Sequence, residues 1–366
     1  MIPFDYVDAN AVADAADVDH DRVMAIAGGT TMVDLMKLNV LTPDRVVHVR
    51  GALSDAIEVR DDGLRIGAAC TMAQLADHET VRTDMPAVRQ SLILAATPQI
   101  RNMATLGGNV LQRTRSTYFR HVDMSVEGPD VDRKHGGADV DRKHGGADTS
   151  QLAVLGTGGR AVAMYPGDFA VTLVAFDGAI EIDGPGGSRT VRARQFFRLP
   201  GEGEFQYSTL LEPGELITHI RLSKTTSLAR SYYLKIRERS SYAFALVSVA
   251  AGFTLDGQTI RDPHIGLGGL ASVPWHAAAA EDALRDRPAT DEVFGDAARA
   301  ALADASHRDD DHSADDKPGR DQPGDEPDYR VTLARRAIVR ALRTLRDRGV
   351  LSDPQLFATQ HGRGIA

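Results

Sequence analysis

Cysteine is almost absent: Cys70 is the only one in 366 residues, which excludes an intramolecular disulfide and any centre that needs several thiolates from this chain. It lies in the apolar stretch 66–72, the setting of a buried, inert thiol. Although 42% of the residues are hydrophobic, no uninterrupted apolar run reaches the length of about 18 that a membrane helix needs. The opening Met1-Ile2-Pro3-Phe4-Asp5-Tyr6 has no basic region followed by an apolar stretch, so no signal peptide is expected and the expected location is cytoplasmic. Net positive charge is missing as well. A formal charge of -9 argues against a general nucleic-acid binder, because neutralising phosphates takes clustered Lys and Arg. No stretch ends in the Gly-Lys-Ser/Thr of a P-loop, and none forms a Gly-x-Ser-x-Gly elbow, so nucleotide hydrolysis and Ser-His-Asp hydrolysis have no support.

The length exceeds what one hydrophobic core usually serves, so two or three domains are expected. Residues 1–54 read as an Ala- and Asp-rich helix, a strand over 23–27, a Gly-Gly turn, a helix over 31–39 and a strand over 45–49, a small βαβ unit. From residue 55 the pattern changes to short strands, helices near 72–77 and 87–97, and strand-like stretches at 152–155, 161–165, 171–176, 179–182 and 216–222. Such a 55–224 segment fits an α+β domain with an antiparallel sheet. Its loop insert, 121–150, holds a perfect tandem repeat: Asp130-Val131-Asp132-Arg133-Lys134-His135-Gly136-Gly137-Ala138 recurs at residues 139–147. A duplicated surface loop is the reading, since lengthening an exposed loop costs little closure entropy. The pair His135 and His144 is a by-product of that duplication rather than a metal site. Residues 225–352 read as strands over 231–236, 244–255 and 265–270, then helices over 275–285, 291–305 and 329–348, a three-stranded antiparallel sheet with three helices. Within it, residues 307–328 are charged and nearly free of apolar side chains, the signature of a disordered acidic insert, and 353–366 read as a tail.

Chemistry is concentrated in two Gly-pair runs. Ala25-Ile26-Ala27-Gly28-Gly29-Thr30-Thr31-Met32 joins a strand to a helix, where backbone N–H groups can meet an anion and glycine lets a phosphate approach the main chain. A plain connection would look the same. Thr105-Leu106-Gly107-Gly108-Asn109 could supply the same chemistry from the second domain, and a ligand with two phosphates could bridge both. A rival, Gly156-Thr157-Gly158-Gly159-Arg160-Ala161, matches a loose dinucleotide fingerprint, but Pro166 leaves no room for the helix that would follow.

The opening residues 2–6, the run Ala27-Gly28-Gly29-Thr30-Thr31-Met32-Val33-Asp34-Leu35-Met36-Lys37, and Arg101-Asn102-Met103-Ala104-Thr105-Leu106-Gly107-Gly108-Asn109 with Val110-Leu111-Gln112-Arg113 together resemble the FAD subunits of the xanthine dehydrogenase and carbon monoxide dehydrogenase family of molybdenum hydroxylases. The likeness is nearest to aldehyde oxidoreductase FAD subunits and spans nearly the whole chain. It implies a two-subdomain FAD-binding fold of the vanillyl-alcohol-oxidase/xanthine dehydrogenase type (a PCMH-type domain) with a C-terminal domain. It also implies FAD contacts at residues 25–32 and 105–109. Asp168 is similar to the family aspartate near the flavin's polar chain, although an exposed turn aspartate fits the sequence too. Ile217 stands where the family places an apolar residue beside the isoalloxazine, and a core role suits it equally. Lys235 matches a flavin-side lysine, whose charge would favour the anionic reduced flavin; without the resemblance it reads as a solvated side chain.

Close relatives that share Gln112-Arg113-Thr114-Arg115 continue with cysteines that hold a [4Fe-4S] cluster, whereas here Ser116 stands at the first such position and the following loop has none. Four thiolates are needed, so no [4Fe-4S] cluster is expected. The resemblance places a molybdenum cofactor on a large partner subunit and [2Fe-2S] clusters on a small one, a heterotrimer in which this chain passes electrons through FAD to an acceptor and supplies no catalytic acid or base. The alternatives are a free-standing FAD oxidase or reductase, which would need a proton-transfer residue that neither His219 nor His264 obviously provides, and a flavin-free interaction subunit.

Overall fold

The computed structural model describes residues 1–120, 131–132, 137–138, 152–158, 162–199, 208–305 and 329–360. The acidic stretch 307–328 and most of the duplicated loop lie outside them. Three strands, β1 (Asp5–Asp8), β2 (Val23–Ile26) and β3 (Arg45–His48), form a parallel sheet in the order β1-β3-β2. Helix α1 (Met32–Lys37) is the crossover from β2 to β3. The expected N-terminal helix shrinks to one 3-10 turn, Val12–Ala15, where the Asp14 carboxylate accepts the N–H groups of Asn10 and Ala11 at 2.7 and 3.0 Å. Strand β1 gave no sequence signal because all four of its residues are exposed, so it carries no apolar alternation.

The second sheet runs β4-β5-β10-β8-β9, all antiparallel, built from β4 (Ile57–Arg60), β5 (Gly63–Gly67), β8 (Ala179–Asp183), β9 (Arg189–Arg192) and β10 (Leu216–Ser223). The described part of the loop insert contributes only a hairpin of β6 (Val131–Asp132) and β7 (Gly137–Ala138). Helices α2 (Met72–Asp77), α3 (Glu79–Asp84), α4 (Pro86–Ile93), α5 (Pro98–Met103), α6 (Leu106–Val110) and α7 (Thr117–Arg120) lie between β5 and the insert. Residues 171–176, expected as a strand, belong instead to helix α8 (Phe169–Ala175), with α9 (Ala193–Phe196) after β9. All seven α8 residues are buried, so no polar face exposes the helical period, and an apolar run of this length reads equally as a central strand. Among the described residues, 152–155 and 162–165 make only isolated bridges, Leu152 to Ala163 and Leu155 to Ala271.

After α10 (Thr226–Ala229), the strands β11 (Ser231–Ile236), β12 (Val247–Asp256), β13 (Thr259–Gly268) and β14 (Trp275–His276) form an antiparallel sheet of four rather than three. Trp275 was expected to open a helix. It pairs with Leu267 instead, and its ring packs over Gly156, where a Cβ would lie 2.7 Å from it. That contact also accounts for the rival glycine run: Gly156, at φ 62°, serves a turn beneath a tryptophan. Helices α11 (Ala278–Leu284), α12 (Asp291–Ala300) and α13 (Tyr329–Arg348) cover the sheet, and α14 (Asp353–Gln360) occupies the start of the expected tail, fixed by buried Leu356 and by Arg89 donating to Asp353 Oδ2 at 2.9 Å. One apolar core runs from Leu64 to Leu356 through the second and third sheets, while a smaller one under the first sheet meets β10 at Leu216.

Candidate functional site

The turn between β2 and α1 is shaped by close approach. A Cβ on Gly28 would stand 2.1 Å from the Met103 carbonyl oxygen, so this turn lies directly against the end of α5, and Gly29 takes a left-handed φ of 68°. The carbonyls of Gly29 and Thr31 accept the N–H groups of Val33 and Leu35, but among the described residues no backbone bond is donated by the N–H groups of residues 28–31. These amides remain available to an anion.

The second run is wound into α6, and the amides of residues 106–109 are committed. Leu106 N–H donates to the Cys70 carbonyl at 2.8 Å, Gly107 N–H to that of Ala68 at 3.1 Å, and Asn109 N–H to that of Thr105 at 2.8 Å. Gly108 N–H donates to the Thr105 hydroxyl, the helix N-cap, at 3.3 Å. What this run offers is side chains: Asn109 Oδ1 is buried with no partner among the described residues. The expectation that both runs donate amides alike therefore needs amending. Cys70 is fully buried, and burial together with Asp55 pushes its thiol up to about 12, so it stays a thiol.

Both runs open on a cavity of about 1470 Å³ and an adjoining one of about 200 Å³, which share Thr30, Thr31 and Gly108 in their walls. Residues 25–32 line the smaller one together with Thr105 and Ile217, while Asn109, Asp168 and Lys235 line the larger. Fourteen of the sixteen expected site residues thus meet here; Leu106 and Gly107 line neither cavity and pack inward, Leu106 in the core and Gly107 on Ala68.

Asp168 is no exposed turn residue and Lys235 is not solvated: they are 5% and 1% exposed, and Lys235 Nζ donates to Asp168 Oδ2 at 2.7 Å. Breaking such a buried pair by removing one partner typically costs about 3–5 kcal/mol. The C-cap carbonyl of α4, Leu94, accepts both Lys235 Nζ at 3.3 Å and Arg237 Nη1 at 2.9 Å. Sequence reasoning missed Tyr233, whose hydroxyl donates to Asp168 Oδ1 at 2.7 Å, although it sits two residues before Lys235 on the same strand face. Burial, reinforced by Asp168, holds that phenol well above its ordinary value. Missed too was Arg115, which lines the larger cavity, donates to Asp34 Oδ2 on α1 at 3.0 Å and lies 4.9 Å over the Phe244 ring. Burial lowers the proton affinity of Arg115 most, with Arg120 adding to it. Burial would raise Asp34, but the hydrogen bonds and charges of Arg120 and Arg115 outweigh it and hold the carboxyl low. Among the described residues no histidine lines the larger cavity; His219 lies between Arg65 and Glu181 at the second sheet, and His264 faces the Ala175 carbonyl.

Residues 2–224 match the family described as the FAD binding domain in molybdopterin dehydrogenase, and residues 232–345 match the CO dehydrogenase flavoprotein C-terminal domain. The chain belongs to this flavoprotein family. It is 38% identical over 289 residues to the aldehyde oxidoreductase FAD-binding subunit of Escherichia coli K12, covering 78% of this chain and 86% of that one. It is 27% identical to the carbon monoxide dehydrogenase medium chain of Afipia carboxidovorans, covering 84% and 90%. Among solved structures, reconstituted CO dehydrogenase from Oligotropha carboxidovorans aligns with a TM-score of 0.68 at 24% identity, over 95% of this chain and 100% of that one, a likeness of fold.

The flavoprotein family assignment makes the chain an FAD-binding oxidoreductase subunit of the molybdenum hydroxylases. The residues present fit FAD: the amides of the first turn and the hydroxyls of Thr30 and Thr31 suit an anionic diphosphate, and unpartnered Asn109 Oδ1 suits a donor group of the ligand. Among the described residues no three His, Cys, Asp or Glu side chains converge to hold a metal ion, and no helix is long and apolar enough to cross a membrane.

Proposed function

We propose that this chain is the electron-transferring subunit of a cytoplasmic three-subunit molybdenum hydroxylase. A large partner carrying a molybdenum cofactor oxidises an aldehyde or heterocycle, a small partner carrying [2Fe-2S] clusters relays the electrons, and this chain delivers them to an external acceptor. FAD, when bound, supplies a carrier able to take up and release electrons. Residues 25–32 wrap the diphosphate, with Thr105, Gly108 and Asn109 closing the opposite wall. Ile217, 3% exposed, provides apolar packing, while Asp168 and Lys235 set the charge on the flavin's side of the cavity. The chain divides into units of 1–54, 55–224 and 225–352, with the cavity walled by all of them.

The observation that carries the reading is the meeting of the unspent first-turn amides, Asn109 and the Asp168–Lys235 pair around two adjoining cavities that share Thr30, Thr31 and Gly108. Co-purification from the native host with the partners, followed by the visible spectrum and FAD release on heating, tests it. The expected result is one FAD per chain in a complex with molybdenum and iron. A chain that purifies without flavin and takes none up would sink the reading, and oxidation of an aldehyde by the isolated chain would overturn the division of labour.

A further inference from the structure

The buried ion pair on the cavity wall has a third member. Tyr233 and Lys235 leave the same face of β11, and the ring of Tyr233 is fully buried. Its hydroxyl and the Lys235 ammonium each donate to a different oxygen of Asp168, both at 2.7 Å, so the two donors divide the carboxylate between them. The backbone is pinned at the same point, since Tyr233 N–H donates to Oε1 of buried Gln90 on α4 at 2.8 Å. The end of that helix then receives Lys235 and Arg237 on the Leu94 carbonyl.

We propose that Tyr233 is a positioning residue that tunes the flavin: its hydroxyl holds the Asp168 carboxylate and, through it, the charge that Lys235 presents to the cavity. The inference rests on the reading that the flavin lies beside Lys235. A hydrogen bond to a carboxylate draws charge off it and is a strong one in a buried site. Without the phenol, Asp168 turns its full charge on Lys235, the ammonium is more completely neutralised, and the negative charge that reduction adds to the flavin is less well stabilised. A phenylalanine keeps the packing and removes only the O–H.

The test is the midpoint potential of FAD bound to the full chain in the wild type, in Tyr233→Phe, in the paired variant Asp168→Asn with Lys235→Met, and in the three changes combined. Tyr233→Phe is expected to retain FAD and to make reduction about tenfold less favourable, which for a two-electron couple is about 30 mV. The paired variant shifts the potential further in the same direction, and adding Tyr233→Phe to it changes nothing more. A shifted paired variant beside an unshifted Tyr233→Phe overturns the proposal and leaves the reading of the site intact. An unshifted paired variant overturns that reading. Equal shifts from Tyr233→Phe in both backgrounds overturn the route through Lys235. Replacing the Tyr233 phenol with a fluorinated, more acidic one keeps the fold and strengthens the bond, so it is expected to move the potential the opposite way; a shift of the same sign as Tyr233→Phe overturns the proposal.

Discussion

Gly28-Gly29 and Gly107-Gly108 present one dipeptide in two settings. At the first, the backbone is left-handed at Gly29, a Cβ on Gly28 would strike the Met103 carbonyl at 2.1 Å, and the N–H groups are unspent within the described protein. At the second, neither glycine has a positive φ, the nearest atoms a Cβ would meet are Ala68 Cβ and the Thr105 hydroxyl at 3.1 Å, and both glycine amides are already donated. The dipeptide alone does not make an anion site. What decides is whether the turn's N–H groups have been claimed by neighbours, because a claimed donor has nothing left for a phosphate.

Gly28→Ala is the strongest way to break the comparison. Its methyl has no room against backbone, so loss of retained FAD is expected together with destabilisation of about 1–3 kcal/mol, measured by flavin release and thermal melting. Gly29→Ala should cost less, about 1 kcal/mol from the left-handed backbone, with FAD bound more weakly in a titration. Acid should probe the tie between the two runs, since Asp34 on α1 is held by Arg115 and Arg120, which follow α6. The Asp34 carboxyl is lowered in the folded chain, so its contribution is complete above the ordinary value of 3.8 and is lost as pH falls below it through the folded value. Asp34→Asn should flatten that part of the profile of FAD release against pH. Gly108→Ala should do least: a gain in helix propensity offsets pressure on the Thr105 cap, leaving stability within about 0.5 kcal/mol and FAD affinity within about tenfold. Equal losses from Gly28→Ala and Gly108→Ala would erase the distinction between the turns.

Legibility followed the range of the interactions. Helix α13 was readable to its last residue because its apolar period and the left-handed Gly349 that ends it are local signals. Strand β1 and helix α8 were not, one being exposed throughout and the other buried throughout, so neither displays the polar–apolar contrast that betrays a period. Strand β14 depends on Trp275 finding Gly156, more than a hundred residues earlier in the chain. Asp168 and Lys235 were identified through family likeness; their surrounding residues gave no hint that both are buried or that Tyr233 joins them.

By itself, the sequence determined what covalent composition and local pattern control: the lack of thiolates for a cluster, the two Gly-pair runs, and the family. Tertiary structure alone decided which glycine turn keeps its amides for a ligand and which side chains face one another across the cavity. The reason is physical. A backbone donor is claimed or left free by carbonyls brought from elsewhere in the chain, as Cys70 and Ala68 claim those of α6, and no stretch of residues carries that information on its own.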